Sequence, residues 1–250
     1  MEHLAQHMRT RLCDGRVIAT TAEERRLAMR AIFRITANSH LLAVALVDAH
    51  LHLLAACSPA VASRLLHRVE ASLKQRLFLP VGFAMYPLAP VRDARHLQYA
   101  FRYILTQNDH HGLRNDPYSE TTNLPDLLGL RLVGRATHDN MRRWLPRVSR
   151  AQLLDWLGAP GLQPADGPPE LVPEAMLSAA CLGELRGTTR ALGEARCAAL
   201  TVLGDQLPVA ETAALLGIQP HTLFRLKRRP ADPRLVQAIR LGLGLRALTS

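Results

Sequence analysis

The chain has 250 residues, 48% of them hydrophobic, and a formal net charge of +10. That composition excludes global disorder and suits one large domain or two small ones. Lys74 and Lys227 are the only lysines; the remaining positive charge is arginine, which grips phosphate bidentately and stacks on bases, so nucleic acid is the first partner to consider.

A GC-rich coding sequence would also enrich arginine. Cys13, Cys57, Cys181 and Cys197 make no CxxC pair and no evident disulfide framework. The N-terminal MEHLAQHMRT lacks the apolar stretch of a signal peptide, and no run reaches transmembrane length without polar residues. A cytoplasmic protein with no membrane partner is expected.

A first strand is expected within 4–18. Thr20 or Thr21 can cap a helix that carries Glu23 and Glu24 in its first turn and runs to about Ala37, with Leu27, Ala31, Ile32 and Ile35 inward. Asn38-Ser39-His40 is a turn into the apolar run Leu41–Leu54, LLAVALVDAHLHLL, which reads as one buried strand. Ser58-Pro59 opens a second helix to about Leu77, with Val61, Leu65, Leu66, Val69 and Leu73 inward. Residues 79–88 read as an edge strand because Pro80 and Pro87 interrupt them. A third helix spans Ala94 to about Gln107. Strand, helix, strand, helix, strand is the order of a small α+β sandwich, an antiparallel sheet with helices on one face. The polar stretch 108–126 reads as loop, and the Pro/Gly-rich 158–173 as an interdomain linker.

Two stretches carry chemistry. In His50-Leu51-His52 the histidines are two apart, so on a strand they share a face and can share one metal ion. The same spacing also fits ordinary half-buried histidines. On the third helix, Tyr99, Tyr103 and Gln107 are four apart and form one stripe, while Leu97, Phe101 and Ile104 form another that can pack on the sheet. A tyrosine hydroxyl has a pKa of about 10 and is a poor nucleophile at neutral pH. It becomes competent when a metal polarises the phosphate it attacks. The carbonyl oxygen of Gln107 could complete the metal's ligands. Amphipathic packing is the alternative role for each tyrosine. His110 and His111 are further candidates for ligands or phosphate contacts.

The set HLH after an apolar strand, then FRYILTQ on a later helix, resembles the single-tyrosine HUH transposases, in particular the REP-associated tyrosine transposases and kindred single-strand transposases. The resemblance covers roughly residues 1–135. It implies a ferredoxin-like sandwich in which His50, His52 and Gln107 hold magnesium or manganese. It also implies that Tyr103 attacks single-stranded or hairpin DNA, becoming joined to the 5′ phosphate, with Tyr99 as the reserve nucleophile. Val47-Asp48-Ala49 stands where the family usually has Met-Pro-Asn, and Asn108-Asp109-His110 where Asn-Pro-Val is common. Relatives include both monomers and homodimers.

The resulting division is 1–135 catalytic domain, 136–175 connecting segment, and 176–250 an all-α DNA-binding domain. Within the last, PVAETAALLGIQPHTLFRLKRR has helix-turn-helix spacing: Ala213 lets two helices approach, Gly217 makes the turn, and Ile218, Leu223 and Leu226 are buried. Pro220 fits the first turn of the second helix. His221, Thr222, Arg225, Arg228 and Arg229 would face DNA, including duplex, in the major groove or at phosphates. Flanking helices are expected at 189–203 and 233–248. The competing functions are an inactive or domesticated relative acting as a DNA-binding regulator, and a metal-dependent hydrolase that does not act on DNA.

Overall fold

The first strand, β1 (Ala5–Leu12), is the axis of the N-terminal half in the computed structural model, which describes residues 3–84, 86–107 and 120–249. Alternation sorts its side chains. Met8, Thr10 and Leu12 are fully buried on one face, whereas Arg9 and Arg11 on the other are exposed. β1 pairs antiparallel with β3 (His50–Ala55) on one side. On its other side it pairs with two short strands, β4 (Phe83–Ala84) and β5 (Ala89–Val91). β3 pairs antiparallel with β2 (Leu41–Val47), giving the order β2-β3-β1-β4. Among the described residues of the expected edge strand at 79–88 only Phe83–Ala84 is paired, and the rest of that edge is formed by Ala89–Val91, beyond the expected bounds, with Pro90 inside β5.

The run Leu41–Leu54 is not one strand. It is a hairpin that turns at Asp48-Ala49, between the paired residues Val47 and His50. Asp48 adopts φ 50°, a left-handed conformation that aspartate tolerates better than most side chains. No glycine or proline marks the turn, so apolarity on both sides hid it. The histidines therefore open β3 instead of closing a long strand.

Helix α1 (Ala22–Thr36) begins at Thr21, whose side chain accepts from the Glu24 amide while the Glu24 carboxylate accepts from the Thr21 amide. These hydrogen bonds, first that from the Thr20 hydroxyl, hold the Glu24 carboxyl below its ordinary range. Thr21→Ala should cost about 1 kcal/mol, the usual worth of such a cap, measured as a shift in the urea midpoint with unchanged slope.

Helix α2 (Pro59–Arg76), capped by Ser58, buries Ala62, Leu65, Leu66, Val69 and Leu73. Val61 is 36% exposed, so Ala62 takes the inward position expected of Val61. The α1–α2 pair packs together, with α2 against β1, which leaves them the Met8–Thr10–Leu12 face. Helix α3 (Ala94–Leu105), capped by Asp93, packs against β2 and β3. It lies on the face that carries Arg9 and the histidines. The sheet accordingly has helices on both faces, not one.

The outer edge of β2 is closed by residues 121–123. Leu46 N–H donates to the Thr121 carbonyl, Val44 N–H donates to the Asn123 side chain, and the Asn123 amide donates to the Leu42 carbonyl. This spares the strand an open edge and explains why every residue of β2 is buried. The preceding Glu120 pairs with Arg26 of α1 at 2.6 Å, both side chains almost fully buried.

After α4 (Leu124–Leu128) come α5 (Arg135–Trp144) and α6 (Arg150–Leu157). These two helices belong to the first compact unit, residues 1–128 with 134–160. They are not a connecting segment: α5 packs on β2, and Trp156 of α6 meets Phe101 of α3. The second unit is 129–133 with 161–250.

The second unit is all helical among its regular elements: α7 (Val172–Ala180), preceded by a short 3-10 turn, α8 (Arg190–Leu203), α9 (Val209–Leu215), α10 (Pro220–Lys227) and α11 (Pro233–Thr249). Met176, Ala195, Ala199, Leu216, Leu223 and Ile239 meet in its core. Much of the expected linker is built into this unit. Ala165 N–H donates to the Arg240 carbonyl, Asp166 pairs with Arg240, and a Cβ at Gly244 of α11 would strike the Gln163 backbone. Proline and glycine there serve close packing on α11 instead of freedom. None of the four cysteines is in a disulfide. Among the described residues no helix is long and apolar enough to cross a membrane.

Candidate functional site

The β1–β3 register assembles the site. His52 lies opposite Arg9, His50 opposite Arg11, and Leu54 opposite His7. Directly paired residues point to the same side of a sheet, so His7, Arg9, Arg11, His50 and His52 share one face. This is the face on which α3 lies, and Leu97, Phe101 and Ile104 anchor that helix there while Tyr103 turns toward the histidines.

The rings form a cluster. Tyr103 meets His52 edge-on with centres 6.2 Å apart, and His7 at 6.3 Å. His50 and His52 are centred 6.3 Å apart. His7 and His52 are closer still, at 5.3 Å between centres, with His7 Nε2 3.1 Å from His52 Nδ1. The two nitrogens meet nearly head-on between their rings, the geometry of an N–H···N hydrogen bond. Burial, then repulsion from Arg9 and His96, pushes the His7 pKa down to about 4. His7 is therefore neutral at pH 7.

Tyr99 stacks on Tyr103 at 6.3 Å but is itself 68% exposed, whereas Tyr103 is half-buried. Gln107 is 1% exposed, and its side-chain nitrogen donates to the Tyr103 carbonyl at 3.1 Å. That leaves its carbonyl oxygen as the atom able to bind a cation.

The two imidazoles alone could span one divalent ion. An ion about 2.1 Å from an imidazole nitrogen lies roughly 3.2 Å from the ring centre, so rings centred 6.3 Å apart are just within the span of a shared ion. Two imidazoles and an amide oxygen favour manganese over magnesium, which prefers all-oxygen shells. Among the described residues there is no group of three His, Cys, Asp or Glu side chains placed to hold a metal. His110 and His111 lie outside the described residues.

Sequence reading missed His7, Arg9 and Arg11. Their signal was the alternation His7-Met8-Arg9-Thr10-Arg11, polar on one face and buried on the other, inside the expected first strand. Arg9 and Arg11 also lie over the Tyr86 ring, at 5.3 and 5.9 Å from its centre. That contact holds two cations beside the histidines, suited to phosphate.

In the helical unit, α9 and α10 are joined by a turn at Gly217, which adopts φ 61°. Ala213, Leu223 and Leu226 are buried and Ile218 half-buried. The five residues expected to face DNA divide. Thr222, Arg225 and Arg229 line a cleft, whereas His221 and Arg228 are exposed and lie outside its lining.

Comparison of the chain with protein-family models, with curated proteins and with solved structures finds no significant match.

Proposed function

We propose that the chain cleaves and transfers single-stranded DNA through a 5′-phosphotyrosine, in the manner of the HUH single-tyrosine transposases it resembles. The observation that carries this reading is the meeting of Tyr103, from α3, with His52, which neighbours His50 on β3, beside Arg9 and Arg11 on one sheet face. The β-α-β-β-α-β order, with strands arranged β2-β3-β1-β4, supports a ferredoxin-like sandwich. The α9–turn–α10 geometry supports a helix-turn-helix.

In this proposal Arg9 and Arg11 bind the scissile phosphate and orient it for in-line attack. The Tyr103 oxygen attacks phosphorus and gives up its proton, the P–O3′ bond breaks, and the leaving 3′ oxygen takes up a proton to become a 3′ hydroxyl. The phosphotyrosine conserves the bond energy, so a strand can be rejoined without an external source. His50, His52 and the Gln107 carbonyl would hold a manganese or magnesium ion, which would supply positive charge to the phosphoryl oxygens.

His7 acts here as a positioning residue. By accepting the His52 Nδ1–H it fixes the tautomer whose Nε2 carries the lone pair. His7→Ala should weaken manganese binding roughly tenfold, the lower range for loss of a ligand's supporting hydrogen bond. His7→Gln, which keeps an acceptor, should recover part of it. Titration calorimetry reads both, and wild-type affinity in His7→Ala would refute the role.

The test of the function is denaturing electrophoresis of the protein with end-labelled single-stranded and hairpin DNA plus manganese, followed by mass spectrometry. A protein–DNA adduct carrying the 5′ phosphate is the expected product. Cleavage without any adduct would assign the chemistry to water and make the protein a hydrolase. Binding without cleavage in manganese or magnesium would favour the regulator.

A further inference from the structure

The helical unit contains a cleft of about 530 Å³ between the first turn of α8 and the side of α10. Its shape is built into the fold. Arg196, 6% exposed, donates to the carbonyls of Leu185, Gly187, Leu216 and Gly217. One buried guanidinium thereby ties the segment 185–187 to the α9–α10 turn, and both ends of the cleft are held in register.

Three glycines, Gly187, Gly193 and Gly217, keep its surface low. At Gly193 the Nη1 atom of Arg229 lies 3.8 Å from where a Cβ would stand, so Arg229, two residues past the end of α10, reaches across to α8. Arg225 lines the same wall, and Thr188, Thr189 and Thr222 add hydroxyls. Arg190 also lines the cleft, but its pairing with Glu194 at 2.7 Å offsets part of its charge. Among the described residues no carboxylate lines the cleft or pairs with Arg225 or Arg229.

The geometry points to a seat for a backbone phosphate of DNA, held by Arg225 and Arg229 against the glycine floor. Two exposed guanidiniums without a carboxylate partner, facing one concavity with hydroxyl donors, have the chemistry of a phosphate site. The cleft has only Ile218 and Leu226 as apolar lining and no aromatic ring, so it offers no platform for a nucleotide base. Exposed His221 in the first turn of α10 and exposed Arg228 just past its end extend the polar surface beyond the cleft, which suits a polyanion longer than the cavity. Helix α10 then grips the backbone through the cleft instead of reading bases with these two arginines. The inference rests on the reading of this unit as DNA-binding, and is independent of the chemistry at Tyr103.

The experiment is fluorescence anisotropy of the full chain with labelled duplex and single-stranded DNA over a range of salt. Arg225→Ala/Arg229→Ala is compared with Lys227→Ala/Arg228→Ala, adjacent but outside the cleft, in which Lys227 is paired with Asp205 at 3.0 Å, and Arg225→Ala is compared with Arg228→Ala as single variants that each remove one exposed guanidinium. The cleft variant should lose at least tenfold in affinity, equally across unrelated sequences, and its salt slope should flatten by about one to two, near 0.9 per lost phosphate contact. The control should lose less than threefold. Equal losses in the two pairs would reduce the effect to general charge and overturn the seat, as would a loss confined to one DNA sequence. If the double variant fails to show the wild-type circular dichroism spectrum, Arg229→Glu alone carries the same expectation. Pyrophosphate and ATP serve as competitors. Saturable binding of either that Arg225→Ala/Arg229→Ala abolishes, while DNA affinity stays unchanged, would assign the cleft to a free nucleotide and also overturn the proposal. Retained cleft-dependent DNA binding with no adduct would sink the transesterase reading alone; an adduct formed while cleft variants bind DNA normally would sink this one alone.

Discussion

Tyr103→Phe should abolish the covalent protein–DNA species, with adduct yield falling at least about a thousandfold, the scale seen when a nucleophile is removed from a catalytic constellation. The substitution deletes one oxygen from a half-buried ring and leaves the ring's edge contacts with His7 and His52 in place. Its stability cost should stay near 1 kcal/mol, the net worth of one hydrogen bond, and metal affinity should not change. That combination separates a lost nucleophile from a lost fold. Tyr99→Phe is the internal control: Tyr99 stacks on Tyr103 but faces solvent over most of its surface, so adduct formation should remain within about twofold. If the adduct survives in Tyr103→Phe and vanishes in Tyr99→Phe, the nucleophile lies one turn earlier on α3. His50→Ala and His52→Ala should instead act through manganese affinity, with partial rescue at high manganese because the remaining ligands persist.

Glu120→Ala should cost about 3–5 kcal/mol, the usual penalty for removing one partner of a buried ion pair. Arg26 and Glu120 meet at 2.6 Å with side chains only 3% and 6% exposed. Alanine takes this carboxylate away from a guanidinium that water cannot easily reach. The pair also joins α1 to the segment that closes β2, since Thr121, Thr122 and Asn123 follow directly and bond to that strand. A melting temperature lowered by about 10 °C or more is expected for a chain of this size. Arg26→Met/Glu120→Leu should recover most of the loss, because an apolar pair of similar volume incurs no ionic desolvation. A Glu120→Ala protein as stable as the wild type would mean that the pair is neutral to the fold and that residues 121–123 hold the β2 edge without it.

The site was partly legible because its chemistry follows strand and helix periods. His50 and His52, at a spacing of two, share a face of β3, whereas the helix expected to reach Gln107 ends at Leu105 and leaves Gln107 buried beyond it. The sequence could not announce His7, Arg9 and Arg11 as neighbours of those histidines. Their approach depends on the register of β1 against β3, and a shift of one residue would send His7, Arg9 and Arg11 to the opposite face. The hairpin at Asp48-Ala49 was hidden for a related reason: a left-handed aspartate between two apolar strands leaves no glycine or proline signal. The division of the arginines on and just past α10, two lining a cleft and one outside it, depends on where α8 lies.

Local chemistry by itself determined the helices α1, α2, α3, α8, α10 and α11. Caps such as Thr21, Ser58, Asp93 and Thr189 act within one turn of their own chain, and the apolar periods that follow them are readable without any partner. Composition likewise sufficed for a mixed α+β first half and a helical second half. Tertiary structure alone decided which segments pack together. Residues 161–171 look like a linker by their prolines and glycines, yet they join the helical unit because α11 offers the Arg240 carbonyl to Ala165 and a bare Gly244 to the Gln163 backbone. Helices α5 and α6 look like a connection, yet they join the sheet because β2 and Phe101 give their buried faces a partner. In each case the deciding contact is made by residues far away along the chain, where local period and propensity carry no information.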